Sequence, residues 1–176
     1  MKILFTHDEL DARTKSLAIQ LNAIFGKYEP GSISCVPLLQ GAARFFVDTS
    51  KHFQFETIVD FAGATSYQGK TQKDLLVYKL PNAENIQGKV VLLFDDILDT
   101  GRTIDSFAKT LYLMGAKEVI PVVLLRRANT EYVWDERITR HFVGFNIGDE
   151  WVYGYGMDGE GGLYRTLNEI AYNEKG

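Results

Sequence analysis

The chain has 176 residues, with 19 Lys and Arg against 23 Asp and Glu for a net charge of −4, and 45% of it is hydrophobic; that balance fits one compact domain and excludes a disordered, highly charged chain. No apolar run approaches the ~20 residues that span a bilayer, and Met1–Phe5 offers no leader-like apolar stretch before Thr6-His7-Asp8-Glu9. The acidic balance argues against nucleic acid bound through phosphate neutralisation, and the lone Cys35 cannot close an internal disulfide, so the expectation is a cytoplasmic protein that works on a small molecule, without membrane or nucleic acid as partner.

Thr6 and Glu9 have the spacing of a capping box, and Leu10, Thr14, Leu17, Leu21 and Ile24 then recur at helical spacing, which predicts a helix ending near Gly26. After the turn signal Glu29-Pro30-Gly31, Ile33–Leu39 reads as a buried strand that contains a proline. Gln40-Gly41 breaks it, and a helix is predicted from Ala42 to Lys51. Phe53 to Phe61 alternates apolar and polar residues, as a strand does, whereas Gly63 to Asp74 is polar and without period, which predicts a mobile loop. Leu75 to Leu80 reads as a short strand closed by Pro81-Asn82. Val90–Phe94 is a continuous apolar run of buried-strand type, followed by the polar segment Asp95–Arg102, by Ile104, Phe107, Ala108 and Leu111 at helical spacing, and by a further apolar strand over Glu118–Leu125. Strand, polar loop, helix and strand make a βαβ unit, so the predicted class is α/β, a central parallel sheet flanked by helices in a single domain.

In such a sheet ligands bind beyond the carboxyl ends of the strands, where residues 95–103 belong. Asp95 and Asp96 place two carboxylates there, suited to a hydrated Mg²⁺ ion or to a sugar diol. Thr100-Gly101-Arg102-Thr103 supplies two hydroxyls, a glycine that lets backbone approach a ligand, a guanidinium and the N–H groups of a helix start, the parts of a phosphate cradle. Asp99 between them has two readings, helix cap or proton acceptor beside a substrate.

The stretch Val90-Val91-Leu92-Leu93-Phe94-Asp95-Asp96-Ile97-Leu98-Asp99-Thr100-Gly101-Arg102-Thr103 closely resembles the phosphoribosyl pyrophosphate (PRPP) motif of the type I phosphoribosyltransferases. Within that family, Phe142 to Asp158 is similar to the purine-binding end of the hypoxanthine-guanine enzymes, and the likeness runs from about Leu38 to Arg165. The resemblance implies a core over about 30–145, a hood formed by about 146–176 together with N-terminal residues, and a flexible active-site loop over about 63–74. It implies transfer of the 5-phosphoribosyl group from PRPP to hypoxanthine or guanine, giving IMP or GMP and pyrophosphate, with Mg²⁺ as cofactor and a homodimer or homotetramer as the assembly.

Carried over by position, Asp95 and Asp96 hold the ribose hydroxyls with Mg²⁺ nearby, Asp99 is the general base near purine N7, and Thr100, Gly101, Arg102 and Thr103 bind the 5′-phosphate. Trp151 stacks on the purine, Val152 reads its edge through backbone, Asp158 accompanies a second Mg²⁺, and Arg165 contacts pyrophosphate. Ser66-Tyr67 matches a pair on a lid that would keep water from a cation-like sugar. The sequence departs from the family at Gln40, beside Gly41 in the pyrophosphate loop, where Lys or Arg is usual; weaker electrostatics and retained activity follow. Arg126 stands for a lysine that donates to the purine 6-oxo group, which puts the choice among hypoxanthine, guanine and xanthine at that residue. One extra residue separates Asp158 from Arg165.

Other features have plainer readings. Cys35 in an apolar strand is a core thiol with no base beside it, and His7, His52 and His141 lack metal-ligand spacing. Arg126-Arg127 alone is a solvated strand end, and Trp151, Tyr153 and Tyr155 alternate as packing residues of a strand do. Gly63 to Thr71 resembles a P-loop, yet five residues separate Gly63 from Gly69 where the motif has four, and a strand-like segment follows where it needs a helix. The remaining alternatives are a xanthine or pyrimidine phosphoribosyltransferase, or an RNA-binding regulator on the same fold, which calls for a basic surface.

Overall fold

The structure is a computed structural model that describes residues 1–68, 73–129, 131 and 134–173, without the side chains of residues 65–68 and 73–75. In chain order its elements are β1 (Lys2–Phe5), α1 (His7–Phe25), β2 (Ile33–Leu39), α2 (Ala42–Ser50), β3 (Ile58–Val59), β4 (Ala62–Gln68), β5 (Lys73–Lys79), β6 (Val90–Leu98), α3 (Arg102–Leu113), β7 (Glu118–Arg127), β8 (Phe142–Ile147), β9 (Val152–Tyr153) and β10 (Ile170–Tyr172). The capping box forms: Thr6 Oγ1 accepts from the Glu9 N–H and the Glu9 carboxylate accepts from the Thr6 N–H at 2.8 Å, satisfying two donors at the start of α1.

The main sheet runs β5-β4-β2-β6-β7-β8, with β3 beside β2, and every pairing is parallel except β4 with β5. Helices cover both faces, which is why β6 is apolar without alternation. Leu92 and Phe94 pack among Leu17, Phe25 and Phe45 of α1 and α2, while Val91 and Leu93 pack among Ile104, Phe107 and Leu111 of α3. A second, antiparallel sheet, β1-β10-β9, joins the amino end of the chain to its carboxyl end, and Val152 and Ile170 extend the core on the α1 side. β1 is not evident in the sequence: Lys2–Phe5 is four residues long, and what stabilises it is the distant partner β10 and the stacking of Phe5 on Phe145, centroids 4.1 Å apart.

Three expectations change. Gly63–Asp74, read as a loop, is mostly an antiparallel pair in which β4 and β5 match Gly63 with Lys79 through Gln68 with Lys73, and its tip, 69–72, lies outside the described residues. A hairpin held by backbone bonds needs no apolar period, so the pattern that reveals buried strands is silent there. The Phe53–Phe61 alternation is a strand only at Ile58–Val59; Phe53 and Phe55 stack on each other, centroids 4.6 Å apart, against the core. β6 continues past Phe94 to Leu98, because Ile97 and Leu98 still pair with Leu125 and Arg126 of β7. The P-loop likeness ends here too, since β5 stands where its helix would be. Among the described residues no helix is long and apolar enough to cross a membrane.

Candidate active site

The cleft begins where β2 parts from β6. Their last pair is Pro37 with Phe94, after which β2 turns to β4 through Leu38 with Ala62 and Leu39 with Gly63. The next residues of β6, Asp95 and Asp96, are therefore left facing the gap, held to the sheet by β7 alone. A cavity of about 340 Å³ fills that gap, with Gln40, Gly41, Asp95, Asp96, Thr103, Asp158 and Arg165 in its wall. A second, of about 230 Å³, runs along Asp95 to Ile104 and shares Asp95, Asp96 and Thr103 with the first.

Burial makes the acidic pair costly to ionise. Asp95 is only 7% exposed, and burial together with the neighbouring Asp96 pushes its carboxyl well above the usual range. Asp96 is raised by burial, offset by hydrogen bonds and by the charge of Arg165. Each carboxylate accepts one backbone N–H, Asp95 Oδ1 from Asp96 and Asp96 Oδ1 from Ile97, both at 3.0 Å. The loop between β2 and α2 crosses directly over Asp96: a Cβ on Gly41 would lie 1.9 Å from Asp96 Oδ2. The Leu39–Gln40 peptide is cis, and the Gln40 side chain is exposed at the rim.

Helix α3 opens without a side-chain cap. Gly101 is its N-cap residue at φ 78°, a left-handed conformation that strains any other residue, and no side chain bonds the first turn. Asp99 is thus not a helix cap. Its carboxylate is 55% exposed and lies 3.1 Å from Nε of Arg127, whose side chain is 14% exposed. With one partner in water, such a pair contributes only ~0–1 kcal/mol to stability. Thr100 and Arg102 are exposed and Thr103 half-buried along the same wall.

Arg165, expected at the site although one extra residue precedes it, lines the cleft, with the turn Glu160–Gly162 between it and Asp158. Its Nη1 donates to the Gly156 carbonyl at 2.7 Å and its Nη2 lies 3.0 Å from Asp158 Oδ1. The aromatic trio divides: Tyr153 and Tyr155 are buried, the latter donating to Asp48, whereas Trp151 is 70% exposed. Trp151 faces a further cavity of about 660 Å³ with Tyr153, Leu163 and Tyr164. Arg126 is held by Asn146, its register partner on β8, with Nε donating to Asn146 Oδ1 at 2.8 Å. Arg126 and the buried Val152 line none of these three cavities, so the structure gathers the residues expected at the purine less closely than it gathers Asp95 to Thr103. Ser66 and Tyr67 belong to β4, and their side chains lie outside the described residues.

Sequence reasoning missed Arg127. Besides Asp99, its guanidinium bonds the carbonyls of Gly148 and Glu150. A strand-end arginine pair carries no local signal of that, because all three partners come from other segments. Cys35 is fully buried, its thiol accepting from Thr57, and burial pushes it up to about 12.

Residues 4–158 match the family model of the phosphoribosyl transferase domain. A hypoxanthine-guanine phosphoribosyltransferase of Aquifex aeolicus is 34% identical over 173 residues, covering 97% of this chain and 93% of its own. A hypoxanthine phosphoribosyltransferase of Escherichia coli is 31% identical over 160 residues, 90% of this chain and 87% of its own. The crystal structure of a hypoxanthine phosphoribosyltransferase from Staphylococcus aureus superposes with a TM-score of 0.85 at 31% identity, covering 99% of this chain and 91% of that one. The fold around the acidic pair and relatives that span nearly the whole length agree: the chain belongs to the phosphoribosyltransferase family.

Proposed function

We propose that this chain is a purine-salvage enzyme that transfers the 5-phosphoribosyl group of PRPP to hypoxanthine or guanine, giving IMP or GMP and pyrophosphate. The observation that carries the reading is the joined cleft in which the buried Asp95-Asp96 pair meets the uncapped start of α3 on one side and Arg165 on the other. One sugar bearing a 5′-phosphate and a pyrophosphate needs that combination of acceptors between two anion sites. In the reaction the purine nitrogen bonds to the anomeric carbon as its bond to pyrophosphate oxygen breaks, the electron pair leaving with pyrophosphate. Asp99 takes the proton of the base, and Asp95 and Asp96 hold the ribose hydroxyls and stabilise positive charge developing on the sugar. Thr100, Thr103 and the first N–H groups of α3 bind the 5′-phosphate, with Arg102 beside them; Gln40 and Gly41 present the loop backbone, and Arg165 a guanidinium, to the pyrophosphate.

The donors suit magnesium. Asp95, Asp96 and Asp158 in the cleft wall would offer oxygen only, the donor type of a hard ion that takes one or two carboxylates and completes its shell with water and phosphate oxygens. When bound, it neutralises the departing pyrophosphate. Trp151 offers an exposed ring for stacking, Val152 backbone for the base edge, and Arg126, oriented by Asn146, two terminal nitrogens for a 6-oxo group. Ser66 and Tyr67 of β4 belong to the lid that excludes water in this reading, and a cytoplasmic homodimer or homotetramer accompanies it. The test is the initial rate of IMP formation by the wild type and by Asp99→Asn. The variant loses kcat far more than affinity for PRPP; equal loss in both removes Asp99 as the base.

A further inference from the structure

We infer that Arg44 and Asp48 of α2, with Tyr155 between them, form a clamp that sets the spacing of the two sides of the pyrophosphate site; this rests on the phosphoribosyl-transfer reading. In that reading one side is the Gln40–Gly41 loop, which leads into α2, and the other is the segment that carries Asp158 and Arg165. The loop follows β2 of the main sheet, whereas the segment lies between β9 and β10 of the small one. Among the described residues no strand pairing joins those two sheets, so loops and side chains must fix the spacing.

Arg44 and Asp48 stand about one turn apart on one face of α2. Tyr155 packs against both at 1% exposure. The Arg44 guanidinium lies 4.6 Å from the centre of its ring, and its hydroxyl donates to Asp48 Oδ2 at 2.5 Å. Arg44 reaches further along the same segment, with Nη1 donating to the Leu167 carbonyl and Nη2 to Asn168 Oδ1, both at 2.7 Å. The Leu167 carbonyl also accepts from the Tyr155 N–H at 3.1 Å, so one oxygen ties the tyrosine backbone to the arginine. The backbone of Tyr155 is left-handed, φ 51°, a conformation that a tyrosine keeps only where its surroundings hold it.

The clamp adjoins the closest approach of the two sides. A Cβ on Gly156 would lie 2.5 Å from the Gly41 carbonyl oxygen, so backbone of one side rests on backbone of the other. The Gly156 carbonyl accepts from Arg165 Nη1 at 2.7 Å, and Arg165 pairs with Asp158. A shift of α2 against Tyr155 therefore moves Gly41 relative to Gly156, and with it relative to the Arg165 guanidinium. Arg44, Asp48 and Tyr155 line neither cavity of the cleft, so they are positioning residues that act through Gly41 and Gly156. The stretch from Asp99 to Thr103, proposed to hold the 5′-phosphate, takes no part in these contacts.

Steady-state kinetics of Arg44→Met, Arg44→Lys and Tyr155→Phe beside the wild type test this, with inhibition constants for pyrophosphate and for IMP measured on each. Arg44→Met keeps the aliphatic length and loses both the fork and the charge over the ring. It is expected to raise the KM for PRPP and the pyrophosphate constant about tenfold, the worth of one charge-assisted hydrogen bond. IMP carries the 5′-phosphate without pyrophosphate, so its constant should stay within about twofold of wild type. Tyr155→Phe keeps the buried ring and loses only the hydroxyl, and the same two pyrophosphate-side constants should rise about threefold. Arg44→Lys returns a charge to the ring and should recover part of the loss. Loosening of the fold as a whole would weaken IMP and pyrophosphate together. Parallel loss of both, or a pyrophosphate constant unchanged in Arg44→Met, overturns the clamp; if that variant does not fold, Tyr155→Phe decides by the same constants. If the wild type makes no IMP, the reading of the reaction fails, whereas an active wild type with pyrophosphate binding insensitive to these changes removes only the clamp.

Discussion

Replacing Asp95 by Asn should make the protein more stable and less active, and the two effects have one cause. The Asp95 carboxyl is buried, touches Asp96, and is raised well above its ordinary value of 3.8 by burial first and by the charge of Asp96 second. A carboxyl raised on folding destabilises the folded state increasingly as pH rises above its unfolded value, and in full once pH exceeds its folded value, because between the two the unfolded chain ionises freely and the folded chain does not. The penalty disappears as pH falls toward the unfolded value. Each tenfold difference in proton affinity is worth ~1.4 kcal/mol, and asparagine keeps the shape and the oxygen that accepts the Asp96 N–H. A gain in stability at pH 8 is expected, and for a chain of this size each kcal/mol moves the melting temperature about 2–4 °C. Thermal denaturation of wild type and Asp95→Asn without Mg²⁺, followed by circular dichroism at pH 8 and at pH 5, measures it. The melting temperature of the variant should lie above that of the wild type at pH 8, with a smaller gap at pH 5. A variant that melts lower at pH 8, or a gap independent of pH, would refute the reasoning that the pair is held against its own charge.

Further outcomes follow from other parts of the structure. Gly41→Ala puts a methyl group 1.9 Å from Asp96 Oδ2, so the loop or the carboxylate must shift and kcat/KM for PRPP should fall roughly tenfold or more; steady-state kinetics with wild-type values would contradict the close crossing. Cys35, fully buried with its thiol pushed up to about 12, should stay unreactive toward a disulfide reagent at pH 8 in the native protein and react once guanidinium unfolds it. Thr6→Ala removes the cap of α1 and should cost about 1 kcal/mol, seen as a lower melting temperature with kcat unchanged.

That the residues proposed to bind phosphate stand together was legible because they are local. Nine residues from Asp95 to Thr103 stand in one stretch of chain, and the strand before them is apolar on both faces, so order along the sequence already encodes their meeting in space. The same holds for α1, whose box and helical period need nothing beyond their own segment. What stayed hidden depends on distant partners. β1 exists because β10 pairs with it, β4 because its backbone groups pair with β5 where its own sequence has no apolar period, and the place of Arg127 because Asp99 and the 148–150 segment converge on it from two other parts of the chain. Phe53 and Phe55 show the reverse error: their alternation imitates a strand, whereas the rings stack against the core from an irregular segment. Arg165 lies between these cases, since the extra residue obscured its alignment, yet it lines the same cavity as the acidic pair.

The most direct test of the central claim is nucleotide formation from PRPP and Mg²⁺ with hypoxanthine, guanine, xanthine, adenine and uracil each offered alone. Turnover of hypoxanthine and guanine, with adenine and uracil inert, is the expected result, and the rate with xanthine reports what Arg126 does to base choice. Turnover of uracil or adenine alone would contradict the account, and so would binding of PRPP with no turnover of any base.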